Sequence, residues 1–201
     1  MSIFRFSNAG GFGTYQRYND FLAGNPTTPV ITDFGSMFPL GEFTLASDQS
    51  EVNFTNIPQT YTHLQLRIIG RDTQAGGAHS LRLQFNNDTG SNYTYHAVAG
   101  DGSSASSGAL TSLTSLFPGY LMGAGGGTGT FSAVIIDILD YRNNKNKVAR
   151  TLSGADNNGS GNVGLHSGLW ISTNAITSIK LLPAASTNFT TNSMLALYGV
   201  L

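Results

Sequence analysis

The sequence predicts an all-β protein: a two-sheet antiparallel β-sandwich of the jelly-roll kind over residues 41–201, with an extended N-terminal arm of residues 1–40 carrying one short helix. Three observations carry the prediction. From residue 41 onward, short runs of alternating apolar and polar residues recur between clusters of Gly, Asn, Asp and Ser, the pattern of strands and turns. No stretch there repeats apolar residues at helical spacing. The longest apolar run, 130–141 (TFSAVIIDILDY), is rich in β-branched residues and reads as a central strand.

The arm has aromatic residues and glycines but no alternation. Thr14 can cap a short helix that ends near Gly24, with Pro26 just beyond. Tyr15, Tyr18, Phe21 and Leu22 then share one face, with Arg17, Asn19 and Asp20 elsewhere. A helix of about two turns does not hold itself together in water, so this face needs a surface, either its own sandwich or another protein. Those four residues and Phe12 are the predicted partner contacts. Residues 25–30 (NPTTPV) read as an extended tether.

Beyond the arm, residues 41–47 and 52–57 form two strands joined through Asp48, Gln49 and Ser50. Residues 62–69 alternate, with Leu64, Leu66 and Ile68 inward against His63, Gln65 and Arg67. Residues 80–85 repeat the pattern with Leu81, Leu83 and Phe85, and an Asn-rich turn leads to a strand at 93–98. Residues 100–129 are Ser- and Gly-rich apart from 113–122, which predicts one strand between two long mobile loops. In the run 130–141, Phe131, Ala133, Ile135 and Leu139 point one way and Val134, Ile136 and Ile138 the other, so both faces want cover. Asp137 interrupts it and must meet a partner or sit where the strand leaves the core. The polar cluster 143–146 turns the chain back into 147–153, and strands at 163–171, 176–182 and 193–200 follow. That makes roughly nine or ten strands, the last expected beside early ones.

The 201 residues carry a net charge of −1, and only 10% are charged. Such a balance gives no electrostatic footprint for nucleic acid or anionic membrane, so neither is an expected partner. With no cysteine, disulfides and thiolate metal sites are excluded. No apolar run approaches a membrane helix, and the first residues lack the apolar core of a signal peptide, so a cytosol-like compartment is expected. The polarity comes from Ser, Thr, Asn and Gly, a surface suited to contact with other protein copies or with sugars.

Catalytic chemistry finds no local motif. His63, His79, His96 and His166 show no ligand spacing and read as surface or loop histidines; no metal or cofactor is expected. Gly-x-Ser-x-Gly, Walker and HExxH patterns are lacking. The segment Asp156-Asn-Asn-Gly-Ser-Gly161 alternates oxygen-bearing side chains as a calcium loop does. Its twelfth position is Ser167 rather than Glu, and it reads as a turn. Asp72, Asp88, Asp101, Asp137, Asp140 and Asp156 offer carboxylate pairs for glycoside hydrolysis that the sequence does not rank. Tyr93, Tyr95, Tyr120 and Trp170 could stack on a sugar or belong to the core.

Four stretches resemble the virion structural proteins of tailed bacteriophages. They are Arg17-Tyr18-x-Asp20-Phe21-Leu22-Ala23-Gly24-Asn25, Val52-x-Phe54-x-x-Ile57-Pro58-x-Thr60-Tyr61-Thr62-His63-Leu64, Gly154-Ala-Asp156-Asn-Asn158-Gly159 and Ala196-Leu-Tyr-Gly199. The resemblance implies a β-sandwich module on the particle and no catalytic residues. The expectation is a non-enzymatic capsid cement or decoration protein, homotrimeric, held to the major capsid protein or another virion protein by its arm. The alternative is a tail-fibre or tail-tip module that recognises host surface polysaccharide through loops near 101–107 and 123–129. A glycan-degrading sandwich enzyme is a third reading.

Overall fold

A computed structural model of the chain describes residues 36–184 and 187–201. The predicted helix, and with it Phe12, Tyr15, Tyr18, Phe21 and Leu22, lies outside the described residues. Within them the chain is all-β: β1 (Met37–Thr44), β2 (Val52–Phe54), β3 (His63–Gly70), β4 (Ala78–Phe85), β5 (Tyr93–Gly100), β6 (Ala105–Leu113), β7 (Leu116–Met122), β8 (Ser132–Leu139), β9 (Lys147–Asp156), β10 (Gly161–Trp170), β11 (Ile179–Pro183) and β12 (Met194–Val200). They form two antiparallel sheets of unequal width. Eight strands lie in the order β1-β12-β3-β8-β9-β10-β5-β6, and four in the order β2-β11-β4-β7.

Alternation decides which side chains meet between the sheets. From the large sheet, Leu64, Leu66 and Ile68 of β3 and Val134, Ile136 and Ile138 of β8 are buried. From the small sheet, Leu81, Leu83 and Phe85 of β4 and Ile179 and Leu181 of β11 meet them. Tyr93, Phe85 and Trp170 close one end; the Trp170 ring stacks on Tyr93, with centroids 6.4 Å apart. Trp170 Nε1 donates to Asp88 Oδ2 at 2.7 Å. That bond, ahead of those from Asn92 and the Gly90 amide, holds the Asp88 carboxyl below the usual range. Tyr93 and Trp170 are therefore core residues, and their rings cannot stack on a sugar.

Two stretches differ from the sequence reading. Residues 105–113, expected as a loop, form β6 along the edge of the large sheet. They pair with β5 through registers such as Val98↔Ser107 and Gly100↔Ala105. Small residues without alternation hid the strand, because an edge strand open on both faces needs no apolar period. The loop after β7, expected to be mobile, is tied to Arg71 by hydrogen bonds. Arg71 donates to the carbonyls of Ala124 (3.0 Å), Gly126 (3.0 Å), Gly127 (2.7 Å) and Thr130 (3.0 Å), and to Thr130 Oγ1 (3.2 Å). One planar guanidinium gathers acceptors that the glycines leave free to converge.

The β9–β10 connection is a turn, with positive φ at Asn158 (54°), Gly159 (95°) and Gly161 (145°) and Asp156 Oδ1 accepting from the Asn158 amide. The β8–β9 connection is tied by Lys147, whose buried ammonium donates to the carbonyls of Asn143, Lys145 and Thr173. Burial, and then the charge of Lys145, push the Lys147 pKa down.

Candidate interaction face

Among the described residues, the four-stranded sheet covers one face of the eight-stranded sheet and the other face is open. Pairing registers place its side chains in rows running across the strands. Ile135, Leu152, Leu165 and Val98 lie side by side on β8, β9, β10 and β5. On one side of this row, Ala133, Gly154 and Val163 follow; on the other comes a polar row, Gln65, Asp137, Arg150, Ser167 and His96. Leu139 and Val148 lie beyond it. The large apolar residues are between 41% exposed at Ile135 and 57% exposed at Leu152 and Val163.

This corrects the reading of 130–141 as a strand covered on both faces. Val134, Ile136 and Ile138 are buried, whereas Ile135 and Leu139 are exposed. The same rows resolve Asp137. Its Oδ1 accepts from Gln65 Nε2 at 2.8 Å, and its Oδ2 lies 3.3 Å from the Arg150 guanidinium directly across the strand pair. Arg67 continues the ladder by donating to Gln65 Oε1 at 2.9 Å and lying over the Tyr198 ring. The observed β8–β9 register sets Asp137 opposite Arg150; counting back from the polar cluster 143–146 puts Leu152 there instead, so the sequence reading of the turn does not find the partner.

Two adjoining grooves indent the face. One, of about 720 Å³, runs between Val98, Leu165, Leu139 and Val148, and a second, of about 310 Å³, between Val98, Leu152 and Val163. A third groove of about 620 Å³ sits at the end of the sheet, lined by Asp101, Asp156, Phe131 and the glycines around Gly100 and Gly159. The residues 101–107 expected to reach for glycan are, at 101–104, a tight turn. Asp101 Oδ1 accepts from the amides of Ser103 and Ser104, which pull its carboxyl far below the usual range. Tyr95 and Tyr120 are half-buried, each edge-on to Phe117.

The histidines are not all at the surface. His166 is buried between the sheets, its Nε2 3.4 Å from Ser153 Oγ and its ring edge-on to Phe117 and Tyr120. Burial lowers its pKa, and its Nδ1 has no protein partner among the described residues. The pair lacks a carboxylate on that nitrogen, so nothing there orients a general base. His79 lies 3.2 Å from the fully buried Asp72, whose carboxyl is raised by burial. Asp72 also accepts from the Gln74 amide at 2.9 Å, which anchors the β3–β4 connection. His63 Nδ1 accepts from the Asp140 amide, and His96 stands exposed on the outer face. Among the described residues no three His, Cys, Asp or Glu side chains converge as metal ligands.

The chain matches no protein-family model and no curated protein.

Proposed function

We propose that this chain is a non-enzymatic structural protein of a tailed-bacteriophage virion, a capsid cement or decoration protein. It is fastened to the major capsid protein by its N-terminal residues and present as a homotrimer. The two sheets are read as an unequal jelly roll whose closing strand β12 sits between β1 and β3. The observation that carries the proposal is the uncovered apolar face. Residues such as Leu152, Leu165 and Val163 stand half-exposed in rows on a rigid sheet, and a face of that kind belongs to a protein that works in an assembly. The near-neutral surface agrees, since copies and neighbours pack on a lattice without like-charge repulsion.

The test is the copy number per particle, from quantitative mass spectrometry of purified virions against the major capsid protein. Hundreds of copies per particle, comparable to the capsid protein, are expected; a few copies, or a dozen or so, would place it in the tail instead. Absence from purified virions would overturn the proposal.

The groove walled by Asp101 and Asp156 favours a second reading, a tail-tip module for host polysaccharide. Its carboxylates and the backbone groups of the glycine-rich turn could hydrogen-bond sugar hydroxyls. That reading predicts a few copies per particle and saturable binding to host polysaccharide that is lost in Asp156→Ala.

A further inference from the structure

We propose that the outer face of the eight-stranded sheet is where copies of this chain meet: the apolar row Ile135–Leu152–Leu165–Val98 of one copy packs against a second copy. The proposal deepens the virion reading, on which it rests only for the number of copies that meet.

Area is the first argument. The seven large apolar side chains of the face are about half exposed, so at on the order of 80 Å² apiece they present roughly 560 Å² of apolar surface. That lies at the upper end of the range for the largest apolar patch of an ordinary monomer, ~300–600 Å², and makes up most of the ~800 Å² each partner contributes to a stable interface. The polar row that crosses the same face supplies the remainder.

Charge is the second. The polar row crossing the face is already satisfied within one copy, since Asp137 is held by Gln65 and Arg150. Burying it beneath a second copy strands no unpaired carboxylate, and Arg67 and Arg150 against Asp137 leave only one positive charge in excess on each copy. A partner chosen for its charge would meet a single excess positive charge among rows of apolar side chains. Self-association instead needs only a largely apolar and rigid surface, the composition of interfaces between identical subunits. The grooves beside Leu165 and Val98 give the second copy's side chains places to insert.

Analytical ultracentrifugation of the full-length protein tests this. The wild type is expected to sediment at a multiple of 21.2 kDa. Leu152→Arg places a charge in the apolar row, and Ser167→Arg places one at an exposed polar site on the same face, where the fold of a single copy is not disturbed. Both are expected to sediment as monomers with unchanged circular dichroism. Leu110→Arg, on the opposite side of the edge strand β6 in a groove shared with Tyr95 and Arg82, is expected to keep the wild-type mass. A monomeric wild type, as would follow if the chain's own N-terminal residues or a capsid protein covers the face, overturns the proposal. So does an oligomer that survives both face substitutions. A monomer present in virions in fixed proportion to the capsid protein defeats the face and leaves the virion reading standing. An oligomer absent from virions does the reverse.

Discussion

Replacing Arg71 with Met is expected to release the glycine-rich loop 123–130 while leaving the sandwich intact. The Arg71 guanidinium makes five hydrogen bonds to that loop, and three of them, to Gly126 O, Thr130 O and Thr130 Oγ1, are partly shielded from water. Counting only those three at about 1 kcal/mol each, the loop loses about 3 kcal/mol of local stability, a roughly hundredfold rise in its opening equilibrium. Methionine keeps the aliphatic stem, so the change isolates the polar end. The assay is amide hydrogen exchange, because the loop supplies its own reporters. Gly126 N donates to Gly123 O, Gly127 N to Asn157 Oδ1, and Thr130 N to Gly127 O. Those amides are expected to exchange about a hundredfold faster, while amides of β3 and β8 keep their rates. If the loop amides exchange at wild-type rates in Arg71→Met, the glycines close the loop unaided and the reasoning fails.

Folding stability is expected to fall as pH drops below 6.5, the ordinary histidine value. The unfolded chain then accepts a proton that burial denies to His166, with a slope of up to ~1.4 kcal/mol per pH unit that ends at the folded-state pKa. Urea midpoints above and below pH 6.5 measure it, and His166→Gln should remove that slope; Asp72, raised by burial, acts in the opposite sense at more acid pH. Gly168→Val should destabilise by about 1–3 kcal/mol, because a Cβ there would lie 2.3 Å from Leu116 Cδ1; an unchanged calorimetric Tm would show that β10 and β7 can separate freely. Ile136→Ala should cost about 2–5 kcal/mol in urea unfolding, whereas its neighbour Ile135→Ala should cost less than about 1 kcal/mol at low protein concentration. Equal losses would mean that both faces of β8 are covered within one copy.

The all-β class and most of the strands were legible because one face of each is buried. Period-two alternation at Leu64–Leu66–Ile68 and Leu81–Leu83–Phe85 is the direct imprint of that burial. What alternation does not encode was missed. β6 has no buried face to impose a period. The buried His166 and Lys147 owe their places to cross-sheet packing and to carbonyls gathered from distant loops, which no local pattern records. Arg71 looks in sequence like any surface arginine at a strand end, and only the return of the loop after β7 makes it a staple. The Asp101–Asp156 groove likewise joins two turns 55 residues apart in sequence, brought together because β5 and β9 both flank β10.

The outer face was half legible, and the half that failed is informative. Apolar residues on both sides of 130–141 require cover on both faces, because exposed β-branched rows on a flat sheet invite association. The four-stranded sheet supplies one cover, over Val134, Ile136 and Ile138. It is too narrow to wrap round and supply the other, so Ile135 and Leu139 stay half-exposed beside Leu152 and Val148. The alternation that fails to match one folded copy is the alternation expected of a strand buried between two. A sheet designed only to face water would carry Thr, Lys or Glu at those positions, as β4 does with Arg82. Among the described residues nothing meets the requirement written in this strand, and the measurements on Leu152→Arg and Ser167→Arg decide whether another copy does.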